Sequence, residues 1–325
     1  MPRQVLIGHS VFGWTIRSLN RVRRRTEQAV DQALILVSQR VVPKPATTPF
    51  DGAARVSVVT VSFNTLRLTK LMLLTLADCW LHAQPRKLVV VDNGSTDGSR
   101  EFLRRLSVSS PILHVIENRG QSSHAHGLRC GIRHIESIER EISVTQRTNV
   151  FLIVDSDVIF LSSDLFPRII EVLIRQDAAL VGQLQYDVGE PYAHPCCMLL
   201  RRDCYGDKRV LPFVNHGAPA LWLQRSMRKA GMKIVDFPVL EESFIVHRGR
   251  GTIDAIPSHA RFHSCATAPY HGAHYHGNAN GEQLWYATES RFDALLKPAC
   301  EEDAIRFINS RLLAVNPDGA PVSFQ

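Results

Sequence analysis

Leu88-Val89-Val90-Val91-Asp92-Asn93-Gly94-Ser95-Thr96-Asp97-Gly98 passes from four apolar residues into a polar turn, and Ser99 to Leu106 follow with helical spacing. An apolar run without alternation is a strand covered on both faces, and Asn-Gly and Asp-Gly are turn formers. The same unit recurs on either side. Val56 to Val61 leads through Ser62-Phe63-Asn64-Thr65 into the amphipathic stretch Leu66 to Trp80. Leu113 to Ile116 leads through Asn118-Arg119-Gly120 into a helix near Gln121 to Glu139, and Val150 to Val154 ends in Asp155-Ser156-Asp157. Buried strands alternating with helices predict an α/β fold with a mostly parallel sheet between helix layers. Ligands of such sheets bind at the carboxyl ends of the strands. The polar clusters at Asn64, Asp92 to Asp97, Asn118 to Gly120 and Asp155 to Asp157 are therefore expected along one edge.

Outside these units the pattern is less regular. A helix near Asp164 to Arg175, a short strand near Ala179 to Val181 and a helix from Ala220 to Ala230, capped by Gly231, are expected. The tail from His259 to Gly281 has no period, and Leu284 to Leu313 reads as helical. Residues 12–42 read as one helix that Pro43-Lys44-Pro45 must stop. The expected organisation is a basic amphipathic helix and Pro-rich linker over 1–50, a catalytic domain over 51–255, and a C-terminal extension over 256–325 packing on the acceptor side.

With 325 residues, 45% hydrophobic and 21% charged, the chain is not disordered over most of its length. Its net charge of +7 is concentrated, because residues 1–50 hold eight Lys/Arg against Glu27 and Asp31. The near-neutral remainder argues against a nucleic-acid partner. Arginines beside an apolar stripe in residues 12–42 fit an anionic membrane surface; the alternative is a helix packed on the domain with its arginines in solvent. No apolar run reaches the roughly 18 residues of a membrane span, so the expected location is the cytoplasm, peripherally at the inner face of the membrane. Seven cysteines without a C-x-x-C pair suit reduced thiols. Asn93-Gly94-Ser95 is read as a tight turn rather than a glycosylation site.

Asp155 and Asp157 are the sharpest chemical signal, since two carboxylates at a strand end make a hard-oxygen site for Mn²⁺ or Mg²⁺. Taken with V-S-V-V-T-V-S-F-N, V-V-V-D-N-G-S-T-D-G-S and Asn118-x-Gly120, the V-D-S-D motif makes residues 56–160 resemble the inverting glycosyltransferases of family two. That resemblance implies a GT-A fold, a nucleoside-diphosphate sugar donor with UDP-sugar favoured, and transfer with inversion. It further implies that Val61 and Phe63 lie beside the nucleobase and that Asp92 bonds the base or ribose. Asp155 would face the ribose or a metal-bound water, and Asp157 would bind the metal. Asn64, Asn118, Gly120, Arg129 and Arg248 complete the expected donor contacts. Asp92 also reads, without the resemblance, as a turn former before Asn93-Gly94.

The chain departs from the family's pattern in two places. Gln121 to Arg129 replaces an Ala/Asn-rich helix start, and His124, His126 and Arg129 stand where they would approach a diphosphate. Gly217 to Gly231 contains no carboxylate where relatives carry an acidic pair, leaving His216, Glu241 and Glu242 as candidates for the base. Val246-His247-Arg248-Gly249 resembles the family's later His-x-x-Gly motif, which makes His247 a metal-ligand candidate. His194 and Trp222 are expected on the side of a hydroxyl-bearing acceptor. A zinc site among His259, His263, His271, His274 and His276 is a weaker reading. A binder of sugar nucleotides that has lost its base and a nucleotidyltransferase remain as alternatives. A nicotinamide-dependent oxidoreductase fits worse than either, because no G-x-G-x-x-G follows a strand.

Overall fold

The structure, a computed structural model, describes residues 50–80, 85–118, 122–186, 190–214, 219–249 and 277–313, together with Ala33 and Tyr275. The expected N-terminal helix, Gly120, His216 and the histidines from His259 to His276 lie outside the described residues.

The first four strands are β1 (Val56–Ser62), β2 (Leu88–Asp92), β3 (Leu113–Glu117) and β4 (Val150–Asp155), and they pair in parallel in the order β3-β2-β1-β4. Helices α1 (Leu66–Cys79), α2 (Ser99–Val108) and α3 (His124–Ile138) form the crossovers. Beyond β4 the sense changes. β7 (Tyr192–Arg201) runs antiparallel between β4 and β6 (Leu180–Gln185), and β8 (Ile234–Asp236) is parallel to β6 at the far edge. A separate two-stranded ribbon joins β5 (Val158–Phe160) to β9 (Ile245–His247). Between these strands lie α4 (Leu165–Arg175), the short α5 (Arg202–Gly206) and α6 (Leu221–Lys229). Helices α7 (Gly281–Arg291), α8 (Asp293–Leu296) and α9 (Glu301–Leu313) end the described chain.

The lack of alternation in β1, β2 and β4 has its cause in two cores. Val58, Val90 and Leu152 face α1 and α4, whereas Val59, Val61, Val89, Val91 and Ile153 face α3 and α6. Strands buried on both faces carry apolar residues at every position. β3 lies at the sheet edge and is half-buried beyond Leu113.

The C-terminal region returns to the α1 side of the sheet. Its described helices reach back over α1 and α2, where Ile305, Ile308 and Leu312 join the α1-side core. Arg67 pairs with Glu289 at 2.8 Å, and Lys70 with Glu301 at 3.6 Å. Their apolar residues and acidic groups match α1 and α2, while residues 256–274 of the expected 256–325 extension lie outside the described residues. Among the described residues, α7 approaches β9, and its Trp285 ring lies 6.3 Å from that of Tyr275.

His114 on β3 and His134 on α3 lie with ring centroids 5.2 Å apart, and the Nε2 of each is buried with no hydrogen bond. Burial first, then Lys87 and His134, hold the His114 pKa down to about 4, from 6.5; burial also lowers that of His134. The unfolded chain therefore takes up more protons than the folded one as pH falls. Their contribution to stability is complete above the ordinary histidine value and is lost between it and about pH 4. Urea unfolding at pH 7 and pH 5 should show a loss of about 1–2 kcal/mol that is reduced in His114→Phe.

Candidate active site

Three loops meet at the carboxyl edge of the sheet, laced by their own side chains. Asn64 takes a positive φ of 49°, which asparagine tolerates, and its Oδ1 accepts from the Thr96 amide at 2.7 Å. The Ser95 hydroxyl accepts from the Asn64 amide at 2.9 Å. One Asp97 oxygen accepts from the Leu66 amide at 2.8 Å and the other from the Ser99 amide at 3.0 Å, so a single carboxylate serves the first turns of α1 and α2. Asn93 donates to the carbonyls of Ser122 and Ser123 and accepts from Asn118 at 2.7 Å. At 2% exposed, Asn93 is a structural tie in the tight turn read from the sequence.

Register brings the acidic groups to this edge, with Ser62 opposite Asp92 and Val61 opposite Asp155. Helix α3 reaches the same edge because Gly127 and Gly131 let it lie directly on β1. A Cβ at Gly127 would stand 2.8 Å from both Val61 methyls, and one at Gly131 only 2.5 Å from a Val59 methyl. Val61 is buried and stiff at χ1, so it cannot turn aside. Gly127→Ala should cost about 1–3 kcal/mol of stability by overpacking, measurable by thermal unfolding. The close approach sets His124, at the start of α3, with Nε2 3.3 Å from Asp155 Oδ1.

Asp155 is the hub. His247 Nε2 lies 3.6 Å from its Oδ2, and His194 Nδ1 lies 3.9 Å from the same oxygen. His247 Nε2 is also 3.3 Å from Asp157 Oδ1, and the Arg248 amide donates to the Asp157 carbonyl at 3.0 Å. The ribbon fixes this arrangement by pairing Val158 with His247. Burial drives the Asp155 pKa up; His124 and His247 oppose that rise, and Asp157 adds to it. For His247, burial favours the neutral ring, but Asp157 and Cys196 outweigh it and raise the pKa well above the ordinary histidine range. The cluster thus calls for positive charge, which the imidazolium supplies here.

A divalent cation fits the same residues. One oxygen each from Asp155 and Asp157 and one nitrogen of His247 lie within 4.8 Å of one another. Asp155 Oδ1 is buried without a hydrogen bond, so it retains acceptor capacity. Two carboxylates and an imidazole suit Mn²⁺ or Mg²⁺.

The remaining expected site residues are distributed more widely. Asp92 is fully buried, and its oxygens accept from the amides of Gly94 at 3.1 Å and Ser95 at 3.0 Å, with Arg100 Nε at 3.4 Å. Its turn-forming role is thus present in the structure. Asn118 is held by Asn93, and Phe63 is half-buried beside the first loop. Arg129 donates to the Phe213 carbonyl, which ties α3 to the segment before α6. Glu241 accepts from Gln183 at 3.1 Å, and Glu242 lies 3.8 Å from Arg168. Because Phe160 pairs with Ile245 and Val158 with His247, Glu242 lies beyond the opposite end of the ribbon from His247. Gln224 of α6 bonds both the amide and the carbonyl of Ala193 at 2.7 Å, holding α6 next to His194. Trp222 is half-buried on that helix under the Arg225 guanidinium, 4.6 Å from the ring centroid. Sequence reasoning did not foresee that histidines from α3, β7 and β9 converge on one aspartate. Nothing in their spacing marks it, since they come from three distant segments.

The parallel β3-β2-β1-β4 core with its antiparallel continuation is the α/β arrangement expected of a GT-A fold, and an Asp-x-Asp stands at the carboxyl end of β4 with His247 beside it. Residues 57–195 match the family described as Glycosyl transferase family 2, which supports a glycosyltransferase. No curated protein matches the chain. Among solved structures it is similar to the mannosyltransferase PcManGT from Pyrobaculum calidifontis in complex with GDP-Man and Mn²⁺. That match has 16% identity and a TM-score of 0.43, covering 92% of this chain and 86% of the other. S. aureus TarS 1-349 in complex with UDP-GlcNAc aligns at 14% identity over 53% of each chain, with a TM-score of 0.40. Glucosyl-3-phosphoglycerate synthase from Mycobacterium tuberculosis, in complex with Mn²⁺, UDP and phosphoglyceric acid, aligns at 14% identity. It covers 57% of this chain and 68% of that chain, with a TM-score of 0.40.

Proposed function

We propose that the chain transfers a sugar from a nucleoside-diphosphate donor, a UDP-sugar by preference, to a hydroxyl-bearing acceptor with inversion and with a divalent cation. The observation that carries this reading is the buried Asp155–Asp157–His247 cluster at the carboxyl end of β4. Asp155, Asp157 and His247 would hold Mn²⁺ or Mg²⁺. When bound, such an ion supplies positive charge against the diphosphate as it leaves. Helix α3 adds to that field, because it begins at this edge and its amino-terminal dipole favours an anion. Val61, Phe63 and the turn built on Asp92 are assigned to the nucleoside, and Arg248 to the phosphates. His194 and Trp222 are assigned to the acceptor, on either side of the Gln224 clamp. His216 is the proposed base: Glu242 lies away from the cluster and Glu241 is engaged by Gln183, while His216 precedes α6 in sequence.

Among the described residues no helix is long and apolar enough to cross a membrane. Peripheral attachment at the cytoplasmic face through residues 12–42 is part of the same reading. Deleting residues 1–50 should abolish binding to anionic vesicles, and unchanged binding would remove this element. For the activity, a panel of nucleotide sugars tested for hydrolysis with Mn²⁺, with Mg²⁺ and with chelator should show turnover of one donor only when metal is present. Tight donor binding without turnover across several acceptors would favour the impaired-binder alternative.

A further inference from the structure

Next to the acidic cluster stands a second set of ligands of different chemistry. His194 and Cys196 are two residues apart on β7 and turn toward the same side, facing His247 on β9. One ligand atom from each of the three lies within 4.8 Å of the others, and the rings of His194 and His247 are 5.2 Å apart. Cys196 is 2% and His247 5% exposed, and both sit on paired strands, so the set is pre-arranged rather than gathered from mobile loops. Asp155 Oδ2, 3.9 Å from His194 and 3.6 Å from His247, stands ready as a fourth ligand. A thiolate, two imidazoles and a carboxylate make a tetrahedral donor set for zinc, whereas Mn²⁺ and Mg²⁺ prefer the oxygen-rich side.

We propose that His194, Cys196 and His247, with Asp155, form a soft-metal site that takes Zn²⁺ in competition with the Mn²⁺ or Mg²⁺ of the acidic cluster. The two sites share His247 and Asp155, and because a ring nitrogen has one lone pair and holds one metal ion at a time, the ion that takes His247 denies it to the other site. Zinc outranks manganese in affinity for nitrogen and sulfur ligands, so trace Zn²⁺ acts as an inhibitor. Binding also deprotonates the otherwise inert buried thiol. The competition rests on the proposed function of the acidic cluster; the sulfur coordination does not.

The test uses the full-length chain with Co²⁺ as a spectroscopic substitute for Zn²⁺. Wild type should show a thiolate-to-cobalt charge-transfer band that added Zn²⁺ removes. Cys196→Ala should lack the band, and Cys197→Ala, altered at the adjacent thiol outside the ligand set, should keep it; Cys196→Ser serves if the alanine variant does not fold. A chromogenic chelator should report Zn²⁺ affinity lowered about 100-fold or more in Cys196→Ala, since loss of even an outer partner of a ligand typically costs about 10–100-fold. Absence of the band in wild type, or its survival in folded Cys196→Ala, overturns the site. Simultaneous binding of Zn²⁺ and Mn²⁺ in equilibrium dialysis overturns the competition. The cobalt spectrum decides the coordination even if no donor is turned over, which separates this failure from failure of the proposed function.

Discussion

Asp157→Ala is expected to lower sugar transfer by about 10³-fold or more while the protein stays folded. The carboxylate faces His247 Nε2 at 3.3 Å and belongs to the hard-ligand set with Asp155. Removing it leaves one carboxylate and one imidazole, too few to hold a cation against the hydration that Mn²⁺ and Mg²⁺ give up reluctantly. Folding is spared because the His247 imidazolium remains paired with Asp155 at 3.6 Å once Asp157 is gone, so no unpaired charge stays buried. Asp157→Asn preserves the shape and should lose activity to a similar degree, which separates loss of charge from loss of packing. Initial rates at saturating donor and Mn²⁺, alongside thermal unfolding of each variant, check both parts.

The largest expected effect on stability lies at the opposite edge of the sheet. Glu139, just after α3, and Arg202, just after β7, form a 2.6 Å ion pair between side chains 2% and 4% exposed. Glu139 also accepts from the Thr148 amide at 3.0 Å, and Arg202 donates to the Thr148 carbonyl at 2.9 Å. Ser57 of β1 reaches the same threonine hydroxyl at 2.6 Å, so the network joins β1, β4 and β7 at one point. Glu139→Ala strands a buried guanidinium, and breaking such a pair from one side costs about 3–5 kcal/mol. Urea unfolding should show that loss, with metal binding unchanged in the protein that remains folded. Asp155 is at the other end of β4 from this network, roughly 17 Å away at the ordinary strand rise.

Much of the fold was legible because local chemistry and global architecture agree. Leu88 to Val91 and Val150 to Val154 carry apolar residues on successive positions and Val56 to Val61 on four of six, and that pattern has one economical explanation, a strand between two helix layers. The turn residues were equally readable, and Asp97 shows why: a short carboxylate beside two helix starts caps both. The ribbon of β5 and β9 was not legible, since three-residue strands have no periodicity to detect. His247 was legible as a metal-ligand candidate through its resemblance to a His-x-x-Gly motif, but its place on a buried strand was not. Asp155, Asp157 and His247 were readable together as metal-ligand candidates, but the convergence of His124 and His194 on Asp155 was not. His124 reaches Asp155 only because Gly127 and Gly131 close the gap between α3 and β1, a property of packing that no motif encodes. The C-terminal helices show the same limit. Glu289 and Glu301 find Arg67 and Lys70 across more than two hundred residues of chain.

The most direct test of the acidic cluster is a titration of Mn²⁺ into the full-length protein in the presence of UDP, followed by the electron paramagnetic resonance signal of the free ion. One Mn²⁺ per chain should be taken up by wild type, with uptake lost in both Asp157→Ala and His247→Ala. Undiminished uptake in those two variants, with their folds intact, would contradict the assignment of Asp155, Asp157 and His247 as the metal centre.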